Sequence, residues 1–227
     1  KNGEVGRFRT AGLEAMLKER RKPVYVVVND GMWRARRFAD ACADAGVAWI
    51  EEPLAMDRYE DLSALTEESR VPIAGGELNG GWHEFAVMLE KGCFDLYQPD
   101  ATFGGGISDA VRVARACRER GLAFSPHTWS NGFSMMVNLH VHAACGDDHP
   151  LEYPLEPPGW IPEYRDAPLA EPLLADANGT IAIPDRPGLG IELDEDLLAR
   201  HGKKFFDLTS KGLAVKTVRE KGLFTAL

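Results

Sequence analysis

Five polar residues recur along the chain at intervals of 26, 23, 27 and 25 residues, each at the end of a short apolar run. They are Glu51, Glu77, Asp100, His127 and Glu152. A strand, a turn and a helix together take about 25 residues, so this period predicts successive βα units. The carboxyl ends of the strands in a closed (β/α) barrel meet at one mouth, so these side chains are expected to share a small volume. Four carboxylates held so close repel one another unless a cation or a proton compensates, which favours a divalent metal and acid/base chemistry.

The apolar runs predict six strands separated by segments with helical spacing. The predicted strands are residues 24–29, 47–52, 72–76, 94–98, 122–126 and 151–153, and the predicted helices are 34–46, 58–69, 82–91, 108–120 and 132–144. The sheet is therefore expected to be parallel and the fold to be α/β. Because six strands cannot close an eight-stranded barrel, we expect an incomplete (β/α) TIM-type barrel over residues 1–200, followed by a C-terminal tail over 201–227.

Composition excludes several classes of partner. The net charge is −9 and the basic residues are scattered, which argues against a nucleic-acid surface or an anionic membrane surface. There is no run of eighteen apolar residues and no N-terminal signal pattern. The four cysteines form no CxxC pair, so we expect reduced, buried thiols in a cytoplasmic protein.

Six short motifs together resemble the enolase superfamily, and within it most closely the mandelate racemase-like group. They are WIEEP at 49–53, AGGE at 74–77, YQPDATFGGGIS at 97–108, SPHTW at 125–129, PLEY at 150–153 and PDRPGLGIELDED at 184–196. The resemblance implies that the six predicted strands are strands 3–8 of the family's barrel. It also implies that the family's N-terminal capping domain is absent, so we expect weak activity or none from this chain by itself.

The resemblance implies a Mg²⁺ site, with Glu51 and Glu77 at the positions of the second and third metal ligands. The position of the first ligand falls on Val28, where the chain departs from the family pattern. Asp30 lies two residues further along the same strand face and could supply the missing carboxylate. Glu52, beside Glu51, is expected to face the other way and to be structural.

The resemblance also implies a catalytic dyad, in which Asp100 orients His127 and raises the basicity of the nitrogen that faces the substrate. Glu152 matches the glutamate that hydrogen-bonds the substrate carboxylate. The family's racemases take a second base from a Lys-x-Lys pair, and no such pair precedes the first predicted strand.

These features lead to one main functional prediction and two alternatives. The main prediction is Mg²⁺-dependent dehydration of a sugar acid, a small-molecule carboxylate, through an enediolate to a 2-keto-3-deoxy acid. The alternatives are a racemase or epimerase of an α-hydroxy acid, which needs a second base, and a truncated or non-catalytic homologue. Because mandelate racemase-like proteins are usually oligomeric, a homo-oligomer is expected.

Overall fold

The computed structural model describes residues 31–145 and 149–203, the backbone of residues 24–25, and a few positions between 209 and 219. Its centre is a parallel five-stranded sheet with the strands in chain order from edge to edge. The strands are β1 (Val24–Tyr25), β2 (Ile50–Glu51), β3 (Ile73–Gly75), β4 (Leu96–Tyr97) and β5 (Ala123–Phe124). The predicted parallel α/β arrangement is confirmed.

Each of the five strands is followed by a helix that packs against a neighbouring helix. These helices are α1 (Met32–Asp44), α2 (Tyr59–Glu68), α3 (Gly81–Lys91), α4 (Gly106–Arg120) and α5 (Gly132–Cys145). Two short helices, α6 (Pro162–Arg165) and α7 (Glu195–His201), lie in the C-terminal region. All five predicted helices are thus present, with bounds that differ by a few residues at most.

β2 and β3 each end one residue before the predicted end, because the backbone turns there. Glu52, directly after β2, has a φ of +46°, a backbone angle that residues other than glycine rarely adopt. Gly76, directly after β3, has a φ of +114°. Positive φ angles interrupt the extended backbone, so the ladder stops and the next side chains are redirected. The turns fall beside Glu51 and Glu77, at the mouth of the barrel.

The predicted sixth strand, residues 151–153, is wrong, because the segment pairs with β5 through side chains rather than through a ladder. The Ser125 hydroxyl donates to the carbonyl of Pro150 at 2.9 Å. The Thr128 hydroxyl donates to the carbonyl of Glu152. These bonds hold the segment at the sheet edge without the repeating backbone bonds that define a strand.

The main core lies between the sheet and helices α1 to α5, with fully buried residues such as Leu62, Ile73, Phe85 and Val113. A second cluster joins α5 to the C-terminal region through Met135, Met136, Leu139, Leu169 and Leu173.

The cysteines are free thiols, as predicted; Cys42, Cys93 and Cys117 are buried, whereas Cys145 is only half-buried, contrary to the prediction. Within the described part of the chain, no helix has both the length and the apolarity that a membrane span requires. The boundary at residue 200, between the barrel domain and the C-terminal tail, stays a prediction.

Candidate active site

His127 and Asp100 form a hydrogen-bonded pair at the carboxyl ends of β5 and β4. His127 Nδ1 lies 3.0 Å from Asp100 Oδ2. The backbone N–H of Trp129 donates to His127 Nε2 at 3.3 Å, which makes Nε2 an acceptor and places the ring proton on Nδ1. The structure therefore brings the predicted dyad together in the tautomer that a general base at Nε2 requires.

Burial and charge act in opposite directions on the two members of the dyad. Burial of His127 lowers its pKa, but the hydrogen bond to Asp100 and the charges of Glu152 and Glu77 outweigh it, so the pKa is raised. Burial of Asp100 raises its pKa, but hydrogen bonds from His127, Asn138 and Thr102 prevail, and the pKa is lowered. The dyad is thus an ionised carboxylate beside an unusually basic imidazole.

Glu77 and Glu152 face the other nitrogen of the histidine. Glu77 Oε2 lies 3.5 Å from His127 Nε2, and Glu152 Oε2 lies 3.7 Å from the same atom. Glu152 also accepts the backbone N–H of Thr128 at 2.8 Å. Burial, assisted by the charges of Glu51 and Glu77, raises the pKa of Glu152. This carboxyl group is therefore disposed to keep a proton and to donate it in a hydrogen bond.

Glu51 is held by two side-chain hydrogen bonds. Its Oε1 accepts from Trp49 Nε1 and from Gln98 Nε2, both at 2.8 Å. It lines a smaller cavity of about 260 Å³ that also contacts Glu152. The two hydrogen bonds fix the Glu51 carboxylate and leave Oε2 as the oxygen that could bind a cation.

The donor chemistry suits a hard cation, although the described residues contain only part of the predicted ligand set. Glu51 and Glu77 supply carboxylate oxygens of the kind that Mg²⁺ prefers. Asp30 and Val28, on which the third ligand depends, lie outside the described residues. In the described ranges, no group of three or more His, Cys, Asp or Glu residues is arranged to hold a metal ion. The predicted site is therefore represented here by two of its three carboxylates.

A cavity of about 610 Å³ opens at this mouth and collects four of the six predicted site residues. Its lining consists of Glu77, Asp100, His127 and Glu152 together with Leu78, Thr102, Phe103, Trp129, Ser130 and Glu156. Trp129 packs edge-to-face on Trp160, with ring centroids 6.0 Å apart, and forms one wall. The cavity is thus acidic around the histidine and partly apolar at its rim, a size and composition suited to a small organic acid.

Sequence reasoning missed several residues that shape this site. Thr102 stands two residues after Asp100 within a recognised motif, but its contacts are visible only in three dimensions. Asn138 is fully buried in α5, and its only signal in the sequence is a polar residue inside an apolar helical run. Leu78, Phe103 and Glu156 lie on loops, where spacing gives no indication of direction.

Glu52 does not line the cavity, in agreement with its predicted orientation. Its Oε1 accepts the backbone N–H of Gly76 at 2.8 Å and so ties the end of β2 to the turn after β3. Burial, reinforced by the charges of Glu77 and Glu51, raises its pKa to about 7. The contact holds the turn that carries Glu77.

Comparisons with known proteins agree with this architecture. The family model described as enolase C-terminal domain-like matches residues 15–197. The chain is 34% identical over 168 residues to D-galactarolactone cycloisomerase of Agrobacterium fabrum, a match that covers 71% of this chain and 43% of that enzyme. It is 35% identical over 163 residues to arabinonate dehydratase of Saccharolobus solfataricus, covering 69% of this chain and 40% of the relative.

Among solved structures, a member of the enolase superfamily from Polaromonas sp. JS666 superposes with a TM-score of 0.75 at 27% identity, covering 87% of this chain and 52% of that one. The chain thus spans about two fifths of the length of the two curated relatives. The barrel-type fold that the sequence predicts is confirmed.

Proposed function

Because the chain belongs to the enolase C-terminal domain-like family, we propose that its cavity supports Mg²⁺-assisted dehydration of a sugar acid, begun when His127 removes the proton α to the carboxylate. The observation that carries this proposal is the His127–Asp100 pair, whose Nε2 faces a cavity lined by Glu77 and Glu152. The relatives named above are a cycloisomerase of a sugar-acid lactone and a dehydratase of a sugar acid, which supports the same substrate class.

The first step assigned to the dyad is proton transfer from carbon to nitrogen. Nε2 of His127 takes the α-proton, and the electron pair of the broken C–H bond moves toward the substrate carboxylate. Asp100 stabilises the imidazolium that forms, because its ionised carboxylate accepts a hydrogen bond from Nδ1–H. Glu152, with its raised pKa, is suited to donate a hydrogen bond to the carboxylate oxygen on which charge develops.

The second step returns the same proton. Imidazolium Nε2 protonates the hydroxyl on the neighbouring carbon, the C–O bond breaks and water leaves, after which the enol product becomes a 2-keto-3-deoxy acid. Glu51 and Glu77 would hold Mg²⁺. The bound ion would contact the substrate carboxylate and offset the negative charge that develops on it. One base on one face of the substrate is sufficient for both steps.

Racemisation requires a second base on the opposite face of the α-carbon. Among the described residues that line the cavity there is no lysine, and His127 is the one histidine. Two of the other lining carboxylates, Glu77 and Glu152, lie 3.5 and 3.7 Å from His127 Nε2 and so stand beside the proposed base. This arrangement favours dehydration over epimerisation.

Product formation with a matched pair of histidine variants tests the proposal. The chain would be incubated with Mg²⁺ and a panel of aldonates and aldarates, and 2-keto-3-deoxy acids would be assayed. His127→Asn is expected to abolish product, whereas His83→Asn, at a side chain 82% exposed on α3, is expected to leave it unchanged. Equal loss in both variants would contradict the role of His127. Absence of product from every acid would support the non-catalytic alternative.

A further inference from the structure

Asn138 is a fully buried amide in the middle of α5, and both ends of its side chain are hydrogen-bonded. Its Nδ2 donates to Asp100 Oδ1 at 2.9 Å and to the carbonyl of Ser134 at 3.3 Å. Its Oδ1 accepts the backbone N–H of Ala101 at 2.9 Å. A buried asparagine in a helix is unfavourable unless it is fully bonded, and here two of its bonds reach the loop that carries the catalytic aspartate.

Thr102 approaches the same oxygen of Asp100 from the loop itself. Its backbone N–H and its hydroxyl both donate to Asp100 Oδ1 at 2.7 Å. The hydroxyl of Ser134, on α5, lies 2.7 Å from the Thr102 hydroxyl and extends the network into the helix. Three donors from two separate elements therefore converge on Oδ1, while Oδ2 is bonded to His127.

The unequal treatment of the two oxygens has a mechanical consequence. A carboxylate with three donors on one oxygen cannot rotate about its Cβ–Cγ bond without breaking all three bonds. The other oxygen is then held in line with His127 Nδ1, and the imidazole is held with Nε2 facing the cavity. Preorganisation of this kind decides how well a base is aimed at its proton.

We propose that Asn138 and Thr102 are positioning residues that lock the Asp100 carboxylate, so that Asp100 Oδ2, together with the Trp129 N–H on Nε2, keeps the proton of neutral His127 on Nδ1 and Nε2 unprotonated. The catalytic importance of this arrangement rests on the proposed function, but the arrangement itself does not. A merely structural role for Asn138, joining α5 to the loop through Ala101, would leave the histidine tautomer unchanged.

The test is the tautomer of His127, read from the ¹⁵N chemical shifts of its two ring nitrogens in metal-free buffer above the pKa of the ring. His127→Asn assigns the resonances. Wild type is expected to show a protonated Nδ1 and a bare Nε2. Thr102→Val with Asn138→Leu removes two of the three donors, and we expect the ratio of the Nδ1–H to the Nε2–H form to fall by about tenfold or more.

Matched variants separate positioning from stability. Thr102→Ser keeps the hydroxyl and is expected to retain the wild-type shifts. Thr66→Val deletes a comparable hydroxyl bond, to the carbonyl of Cys93 at 2.7 Å, and is expected to leave His127 unchanged. If the double variant does not fold, Thr102→Val alone is compared with Thr66→Val.

Wild-type nitrogen shifts in a folded donor-deleted variant would overturn the proposal, as would equal changes in Thr102→Val and Thr66→Val. The readout needs neither substrate nor Mg²⁺. A chain that shows the expected tautomers but dehydrates nothing would therefore leave this inference standing while contradicting the proposed function.

Discussion

The segment that carries Glu152 is held in place by a buried ion pair, and its removal gives the most quantitative prediction. Arg165, 1% exposed, donates through Nε and Nη2 to the two oxygens of Asp166 at 2.8 and 2.7 Å. It also donates to the carbonyls of Pro154 at 2.9 Å and Leu173 at 2.6 Å. Its guanidinium lies 4.4 Å from the ring centroid of Tyr153, so one side chain fixes the residues next to Glu152.

Replacement of Arg165 by Met should therefore be costly. The substitution leaves the carboxylate of Asp166, 2% exposed, without its counterion. It also leaves the carbonyl of Pro154 without that donor, whereas the carbonyl of Leu173 keeps its bond from the Tyr153 hydroxyl. Breaking such a pair from one side costs about 3–5 kcal/mol of unfolding free energy. For a chain of this size the melting temperature should fall by roughly 6–20 °C.

Urea denaturation followed by circular dichroism measures the effect, with a surface ion pair as the control. Arg36 bonds Glu68 at 2.6 Å, but the two side chains are 48% and 50% exposed. Arg36→Met should cost about 0–1 kcal/mol. Arg165→Met combined with Asp166→Leu should recover part of the loss, since no buried charge remains. The reasoning is refuted if Arg165→Met costs no more than Arg36→Met.

Three further predictions concern the site itself. In buffer with a metal chelator, Glu52→Gln should stabilise the fold at about pH 8 by about 3 kcal/mol. Because the pKa of Glu52 is raised in the folded state, wild type loses stability as the pH rises from the ordinary carboxyl range to about 7. The extra stability of Glu52→Gln over wild type should therefore vanish at about pH 4, as measured by urea denaturation. Calorimetric titration with Mg²⁺ should show saturable binding, and Glu77→Gln and Asp30→Asn should each weaken the affinity by about tenfold or more. Glu68→Gln, at an exposed residue, should leave the affinity unchanged. Equal weakening in all three variants would exclude this ligand set. Asp100→Asn should lower the turnover number by at least about a hundredfold while the protein stays folded, since an amide no longer stabilises the imidazolium; a near-normal turnover number in steady-state kinetics would argue against the dyad.

The order of strands and helices was predictable because it follows from a local period. Each βα unit of about 25 residues contains its own apolar run and its own amphipathic helix, so neighbouring sequence is sufficient. Strand ends were less predictable, because they depend on single residues such as Glu52, which has a positive φ and accepts the backbone N–H of Gly76. The extended segment at 151–153 has strand composition, but it is joined to β5 by side chains of Ser125 and Thr128.

The candidate site was predictable only as far as the motifs reach. Asp100 and His127 follow successive strands, so the topology alone brings them together. Glu152 lies on a segment that the side chains of Ser125 and Thr128 join to the sheet edge. The bond from Asn138 to Asp100 joins residues 38 apart and depends on the rotation of α5 about its axis, which periodicity does not fix to the accuracy of a hydrogen bond. The rim of the cavity is made by loops and was not predictable for the same reason.

Exchange of the α-proton in deuterated water isolates the step assigned to His127 from the later loss of water. The chain, Mg²⁺ and a sugar acid would be followed by proton NMR, with His127→Asn and His83→Asn measured in parallel. We expect slow loss of the α-proton signal or slow conversion to product, at the weak level expected of this chain by itself, with wild type and His83→Asn, and neither with His127→Asn. Exchange at the wild-type rate in His127→Asn would contradict the assignment of His127 as the base.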